Sequence, residues 1–538
     1  MKTDPISFEV FRNVFISVAE EMGATLVRTA YSPNIKERRD CSAATFDREG
    51  QMVSQAEHIP VHLGAMPESV KAALKLFPAS EWDKADTIIL NDPFSGGTHL
   101  PDITIISPVI FNNVVAGFVA NRAHHADVGG SAPGSMPGAA TEIYQEGIRI
   151  PPTKLIAAGI WNKELWGLLL ANVRTPIERQ GDLRAQVAAN NTGVSRFEAI
   201  LSKYSEPVVS TFFEDFHGYS RRRMLQQIQQ MPKGDFTYTD YLDNDGVSSK
   251  PVELNVRVSI KRNQIIFDFS GSNKQTRGNV NAPLAVTLSC SYYVLRCVTD
   301  PTIPANAGCY SPLTVLAPEG SVLNPHPPAA VSAGNVETSQ RIVDTLFGAL
   351  KDALPNRIPA ASQGTMNNVT IGGVDPRTSQ AFTFYETIGG GLGARSDKDG
   401  INGIHSHMTN TANTPIEALE STYPLRVECY HLIPGSGGKG RYRGGWGIRR
   451  DIRILADHVI VSIQSERRRF SPWGLHGGFP GRLGKNRHWH EGKWKEIPGK
   501  TTLVVENGDI ISIQTPGGGG FGRVIRKRDK LSRNGGSR

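Results

Sequence analysis

Apolar residues recur at intervals of three and four at the start of the chain. Phe8, Phe11, Phe15, Val18 and Met22 share one face of a predicted helix. Asp4 followed by Pro5 supplies an N-cap and a proline at the first helical position. "MPESVKAALKLFP" predicts a second helix and "DTIILNDP" a short buried strand. From about Trp161 to Met231 the pattern is mostly helical, with amphipathic stretches such as "YSRRRMLQQIQQM". At Gly234 the helical period gives way to a period of two. Val252, Leu254, Val256, Val258 and Ile260 alternate with polar residues, and "QIIFDFSG" follows a "KRN" turn, which is a β-hairpin pattern. "LAVTLSCSYYVLRCVTD" and "TSQRIVDTLFGAL" return to helix. From Leu425 onward, strands alternate with Gly-dense turns, and no repeat of solenoid period is present. The expectation is an α+β protein with helical and β-rich parts and several domains. The expected divisions are 1–232, 233–364, 365–522 and a basic tail over 523–538.

Composition narrows the class. At 538 residues, 39% hydrophobic and 20% charged, the chain can bury large cores. The net charge is +8, but the tail "RVIRKRDKLSRNGGSR" carries six of those charges. The body therefore has no readable basic face, and nucleic acid is not the expected partner. Five cysteines without a Cys-x-x-Cys pair exclude a disulfide framework and a zinc ribbon, and fit a reducing cytoplasm. The N-terminus is not a signal peptide, and runs such as "VVAGFVA" are too short to span a membrane.

The candidate chemistry gathers around "NDPFSGGTHLPDITIISPV", Asn91 to Val109. Two apolar runs flank Asn112-Asn113, and asparagine tolerates the positive φ of a two-residue hairpin turn. In the simplest register Asp102 faces Ala123 and Pro101 faces His124, unless a bulge intervenes. His99, Asp102 and His124 then converge, with His125 and Asp127 adjacent. Two imidazoles and a carboxylate leave positions open on an ion, the pattern of a catalytic zinc or manganese site. Hydrogen-bonded loop residues are the plainer alternative. Asp40 is a candidate fourth ligand, and Cys41 beside it a weak candidate nucleophile. His58 is read as a pocket-lining, substrate-binding residue, and His62 as structural, because Pro60 between them opposes a helix. The loop "DVGGSAPGSMPGAATEIYQEG" offers Glu142 and Glu146 as acid/base candidates or as solvated surface. "GSGGKG" and "GGGLGA" fail the phosphate-loop and dinucleotide patterns and read as turns that let backbones pack.

Together "NIKERRDCSAATFD", "IPVHLGAMPESV", "NDPFSGGTHLPDI", "NRAHHADVGG", "SAGNVETSQR", "GGGLGARSDKDGINGIHSHMTNTANTPIEALE" and "TPGGGGFG" resemble the hydantoinase B/oxoprolinase family almost end to end. The resemblance implies a large α+β subunit working with a hydantoinase A-like ATPase. That partner binds ATP and Mg and phosphorylates a lactam, cyclic imide or ketone oxygen. It also implies a divalent metal, Zn or Mn, on His99, Asp102 and His124, with Asp40 less securely included. The expected activity is ATP-dependent ring opening of a small cyclic amide by a cytoplasmic hetero-oligomer, with His125, Asp127 and Glu142 assisting proton transfer. An ATP-dependent acetone or aryl-ketone carboxylase is the alternative. Chains of that type tend to be longer, which favours hydrolysis. A non-catalytic scaffold is the least favoured.

Overall fold

The computed structural model describes residues 3–56 and 59–524. The first helix, Pro5–Thr29, begins where expected: the Asp4 carboxylate accepts hydrogen bonds from the Ile6 and Ser7 N–H groups at 3.1 and 3.0 Å. Its apolar stripe packs against two long helices, Pro176–Tyr204 and Glu206–Gln230. Phe15 is fully buried there, with its ring 5.0 Å from Phe197 and 4.9 Å from Phe213, both edge-on.

This helical layer lies on a seven-stranded sheet built from β1 (Cys41–Asp47), β2 (Met52–Gln55), β3 (Thr87–Leu90), β4 (Asp102–Phe111), β5 (Val114–His124), β6 (Thr153–Ala157) and β7 (Ile160–Trp161). The strand order is β2-β1-β5-β4-β3-β6-β7. The helix Pro176–Tyr204 is pinned to the middle of the sheet by buried amides. Gln186 Nε2 donates to the Ile103 carbonyl at 2.9 Å, and Asn190 Nδ2 to the Ile105 carbonyl at 3.1 Å. Asn112 and Asn113 turn the β4–β5 hairpin at φ of 50° and 61°, as the sequence predicts.

The register differs by one residue from the simplest expectation. Near the turn Ile110 faces Val115, but Val109 faces Gly117, so Ala116 is an extra residue in β5. The bulge brings His124, rather than Ala123, opposite Asp102. The one-residue slip changes which side chains share a face.

A second sheet, β8 (Gly234–Leu242), β9 (Val252–Ile260), β10 (Ile265–Asp268) and β11 (Leu313–Leu316), carries the expected alternation, and the helix Ser339–Leu350 packs on it. The C-terminal part holds two antiparallel sheets. One contains Asn368–Asp375, Gln380–Glu386, Val459–Gln464 and Lys500–Val505. The other contains Leu425–Leu432, Ile448–Ile454, Ile510–Gln514, Lys485–His490 and Lys493–Ile497. The Gly-dense segments pack backbone against backbone. A Cβ on Gly438 would stand 2.1 Å from the Phe479 carbonyl oxygen, and one on Gly393 1.8 Å from that of Ala360. One apolar cluster runs from Phe46 through Val286 and Leu346 to Met408 and Phe521, linking the first two sheets to the Gly-dense C-terminal segments, while the two C-terminal sheets share a core of their own. No helix among the described residues is long and apolar enough to cross a membrane.

Candidate metal centre

The hairpin ends at the site. Asp102 opens β4 and His124 closes β5, while His99 sits on the loop just before Asp102. His124 Nδ1 is 3.1 Å from Asp102 Oδ1, His99 Nε2 is 3.2 Å from the same oxygen, and the two ring nitrogens are 3.2 Å apart. All three residues are buried, at 0%, 1% and 2% exposure for His99, Asp102 and His124. His99 Nδ1 and His124 Nε2 are buried without a hydrogen-bond partner. Three potential ligand atoms within 4.8 Å of one another, two of them imidazole nitrogens, suit a borderline divalent ion.

Burial alone would push the Asp102 carboxyl upward. The charge on His99 and hydrogen bonds from His124, His62 and His99 outweigh it and hold the group well below the ordinary carboxylate range. Thr98 Oγ1 donates to Asp102 Oδ2, and His62 Nε2 lies 3.6 Å from that oxygen. Ser42 Oγ in turn meets His62 Nδ1 at 2.9 Å. Tyr385 stacks on His124, with centroids 4.4 Å apart and planes at 18°, and its hydroxyl donates to Asn368 Oδ1 at 3.0 Å. Asn368 Nδ2 donates to Glu337 Oε1 at 2.8 Å, while Glu337 Oε2 has no partner. Burial raises the Glu337 carboxyl to about 7. Arg38 donates to the Tyr385 carbonyl and to Thr387 Oγ1, which fixes the strand carrying Tyr385.

Other expected site residues stand elsewhere. Asp40 is buried beside the cluster, and its backbone carbonyl accepts the His124 N–H at 3.0 Å. Its carboxylate does not join the converging atoms, though its charge acts on His124. His125 turns towards the helix Pro176–Tyr204, with Nε2 2.9 Å from Gln186 Oε1. Burial, then the nearby Arg179 charge, pushes it down to about 4. The Asp127 carboxylate is satisfied by the Gly129, Gly134 and Arg174 backbone N–H groups and by the Arg174 guanidinium, which makes it a loop anchor. Glu142 is exposed and caps the short turn Ile143–Gln145. The buried carboxylate of that loop is Glu146, which accepts the Val331 and Ser332 N–H groups. Burial raises it to about 7. Cys41 is fully buried and pushed up to about 12, the opposite of an activated nucleophile. His58 and residues 525–538 lie outside the described residues.

His62, Tyr385, Asn368 and Glu337 escape sequence reasoning as site residues. Glu337 lies in "SAGNVETSQR", and His62 in "IPVHLGAMPESV", but nothing in either segment shows which residue it meets across the fold.

A helix-backed antiparallel sheet with a buried two-histidine, one-aspartate cluster at a hairpin end belongs to an α+β architecture. The model of the hydantoinase B/oxoprolinase family matches residues 4–524, and the chain belongs to that family. An uncharacterized protein of Methanocaldococcus jannaschii is 45% identical over 96% of this chain and 91% of its own length. The 5-oxoprolinase of Dictyostelium discoideum is 38% identical over 97% of this chain but only 40% of its own length. The chain therefore spans about two fifths of that relative. A putative B-type subunit of a D-/L-hydantoinase from Pseudomonas is 31% identical over 98% of this chain and 91% of its own. Among solved structures, the ATP-dependent caprolactamase of Pseudomonas jessenii superposes with a TM-score of 0.90 at 28% identity, over 99% of this chain and 94% of that one. An acetone carboxylase shares the fold at the same TM-score and 18% identity, over 99% of this chain and 78% of that one.

Proposed function

We propose that this chain is the metal-binding, B-type subunit of an ATP-dependent enzyme that opens a small cyclic amide, a lactam, hydantoin or oxoproline, after a hydantoinase A-like partner has phosphorylated the ring carbonyl oxygen. The observation that carries this reading is the convergence of His99 Nε2, His124 Nδ1 and Asp102 Oδ1 in a buried site. ATP-dependent caprolactamase and 5-oxoprolinase among the relatives support cyclic amides as the substrate class. A relative whose name makes it one subunit of a hydantoinase supports a partner chain.

His99, Asp102 and His124 are the residues that would hold Zn or Mn, and such an ion supplies Lewis acidity and acidifies bound water. The remaining residues set up that chemistry. Thr98 and His62 orient the Asp102 carboxylate, so its charge faces the imidazoles. Tyr385 covers one face of the His124 ring and limits water there. Glu337, raised to about 7, holds a proton at Oε2 near neutral pH and releases it at small cost. Asp40 adds negative charge behind His124. His125 and Asp127, expected from the sequence to transfer protons, are assigned to positioning the hairpin end and its loop.

The test is to co-purify the chain with its hydantoinase A-like partner and assay caprolactam, N-methylhydantoin, 5-oxoproline and acetone with ATP, with and without bicarbonate. The expected outcome is ring-opened acid without bicarbonate. Product formed only with bicarbonate would move the chain to the carboxylases. His99→Ala and His124→Ala proteins are expected to lose bound metal, and full occupancy in both would refute the site.

A further inference from the structure

Far along the chain from the hairpin site, the C-terminal sheet carries a second group of potential ligands. His488 and His490 are two residues apart on the strand Lys485–His490, so they share a face, and their rings lie 5.8 Å apart. Asp509 closes the turn that leads into the strand Ile510–Gln514, where its N–H donates to the Glu506 carbonyl at 3.1 Å. Its carboxylate spans both rings: Oδ2 is 2.9 Å from His488 Nε2, and Oδ1 is 2.8 Å from His490 Nδ1. The Glu506 N–H donates to Asp509 Oδ2 at 3.1 Å, which fixes the carboxylate. Asp509 is buried, His488 half-buried and His490 exposed, so the group is open to solvent from one side.

We propose that His488, His490 and Asp509 form a second divalent-cation site, which takes a borderline ion such as Zn2+ or Ni2+ on two imidazole nitrogens and one carboxylate oxygen. The three ligand atoms lie within 4.8 Å of one another. Around a tetrahedral ion with bonds of about 2.0–2.2 Å, neighbouring ligand atoms stand roughly 3.4 Å apart. Opening each His–Asp contact by about half an ångström therefore makes room, which side-chain rotation on an exposed strand supplies. Imidazole nitrogen with carboxylate oxygen, and no thiolate, favours Zn2+, Ni2+ or Cu2+ over Mg2+ or Ca2+. Each ring donates an N–H to Asp509 in the metal-free protein. The ion takes the place of the proton on each of those nitrogens, and each neutral ring carries its proton on the other nitrogen after exchange with solvent. Glu506 and Glu491 add negative charge near His490. His458 pairs with Glu506 at 3.0 Å, while Lys495 and Lys493 face His488 and His490 across the hairpin and oppose the ion. The open coordination positions are left to water.

The experiment uses the full chain, stripped by a chelator and titrated with ZnCl2, with bound zinc measured by equilibrium dialysis and mass spectrometry. The wild type is expected to take up one equivalent more than a His488→Ala/His490→Ala variant. Asp509→Asn, which keeps the shape and removes the charge, is expected to lose the same equivalent. Equal zinc content in the wild type and both variants, or uptake at this site only at millimolar zinc, would overturn the proposal. A His99→Ala/His124→Ala protein separates the two sites. It retains the surface equivalent if this inference holds, whether or not the hairpin cluster binds metal. Matching far-UV spectra and melting curves in the absence of zinc ensure that a lost equivalent is not a lost fold.

Discussion

His62 shows what a single residue contributes beyond its own type. Its sequence neighbourhood gives a histidine after a proline and nothing more, yet its Nε2 faces Asp102 Oδ2 while Ser42 holds its other nitrogen. Groups that orient a ligating carboxylate are worth about 10–100-fold in metal affinity. His62→Ala is therefore expected to weaken zinc or manganese binding by about that factor without abolishing it, measured by competition with a chromophoric chelator. Glu146 carries a second prediction. Burial raises its folded-state value to about 7, above that of an exposed glutamate. Between those values the folded chain keeps a proton that the unfolded chain has lost, so stability falls as pH rises through the window. In metal-stripped protein, Glu146→Gln is expected to remove this loss and gain about 2–3 kcal/mol over the wild type between pH 4 and pH 8. Urea midpoints at the two pH values check it, and a gain independent of pH would refute it.

Helices and strands were largely legible from the periodicity of their apolar positions. The Phe8 to Met22 stripe, the alternation of Val252 to Ile260 and the Asn112-Asn113 turn all lie in the elements expected of them. The register was not fully legible, because Ala116 bulges and nothing in "VVAGFVA" distinguishes a bulged alanine from a paired one. That one residue decides whether Asp102 meets Ala123 or His124. The His99–Asp102–His124 set was legible because its members lie within one hairpin. Tyr385 and Glu337 reach the site from strands and helices hundreds of residues away, where only three-dimensional packing makes the connection. The helix layer also sets a stability prediction. Phe15 is fully buried among Phe197, Phe212 and Phe213, so Phe15→Ala leaves a cavity that rigid neighbouring rings cannot fill. It is expected to cost about 3–5 kcal/mol, read as a shift in the urea midpoint at unchanged slope.

At the scale of the molecule, the question is whether the middle and C-terminal parts behave as one body. Their contact is ionic as well as apolar. Arg467 Nη2 reaches Asp344 at 2.6 Å and Asp240 at 3.1 Å, and Glu466 pairs with Lys500 and Arg341. Asp240 lies on β8, Arg341 and Asp344 on the helix Ser339–Leu350, and Lys500 on the last strand of the sheet that also contains Val459–Gln464. Every charge in the group is buried, so each depends on its partners for the solvation it has lost. Arg467→Ala removes the cation shared by two buried carboxylates, leaving Asp240 with Arg341 and Asp344 with His407, and is expected to destabilise the chain by about 3–5 kcal/mol. Because the apolar cluster from Phe46 to Phe521 crosses the same boundary, the loss should be felt throughout. In the wild type, tryptophan fluorescence and far-UV circular dichroism are expected to report one coincident unfolding transition. In Arg467→Ala that single transition moves to lower denaturant. Two separated transitions in the wild type would show that the parts fold independently, and a shift confined to one of two transitions in the variant would show that the ionic group serves only one of them.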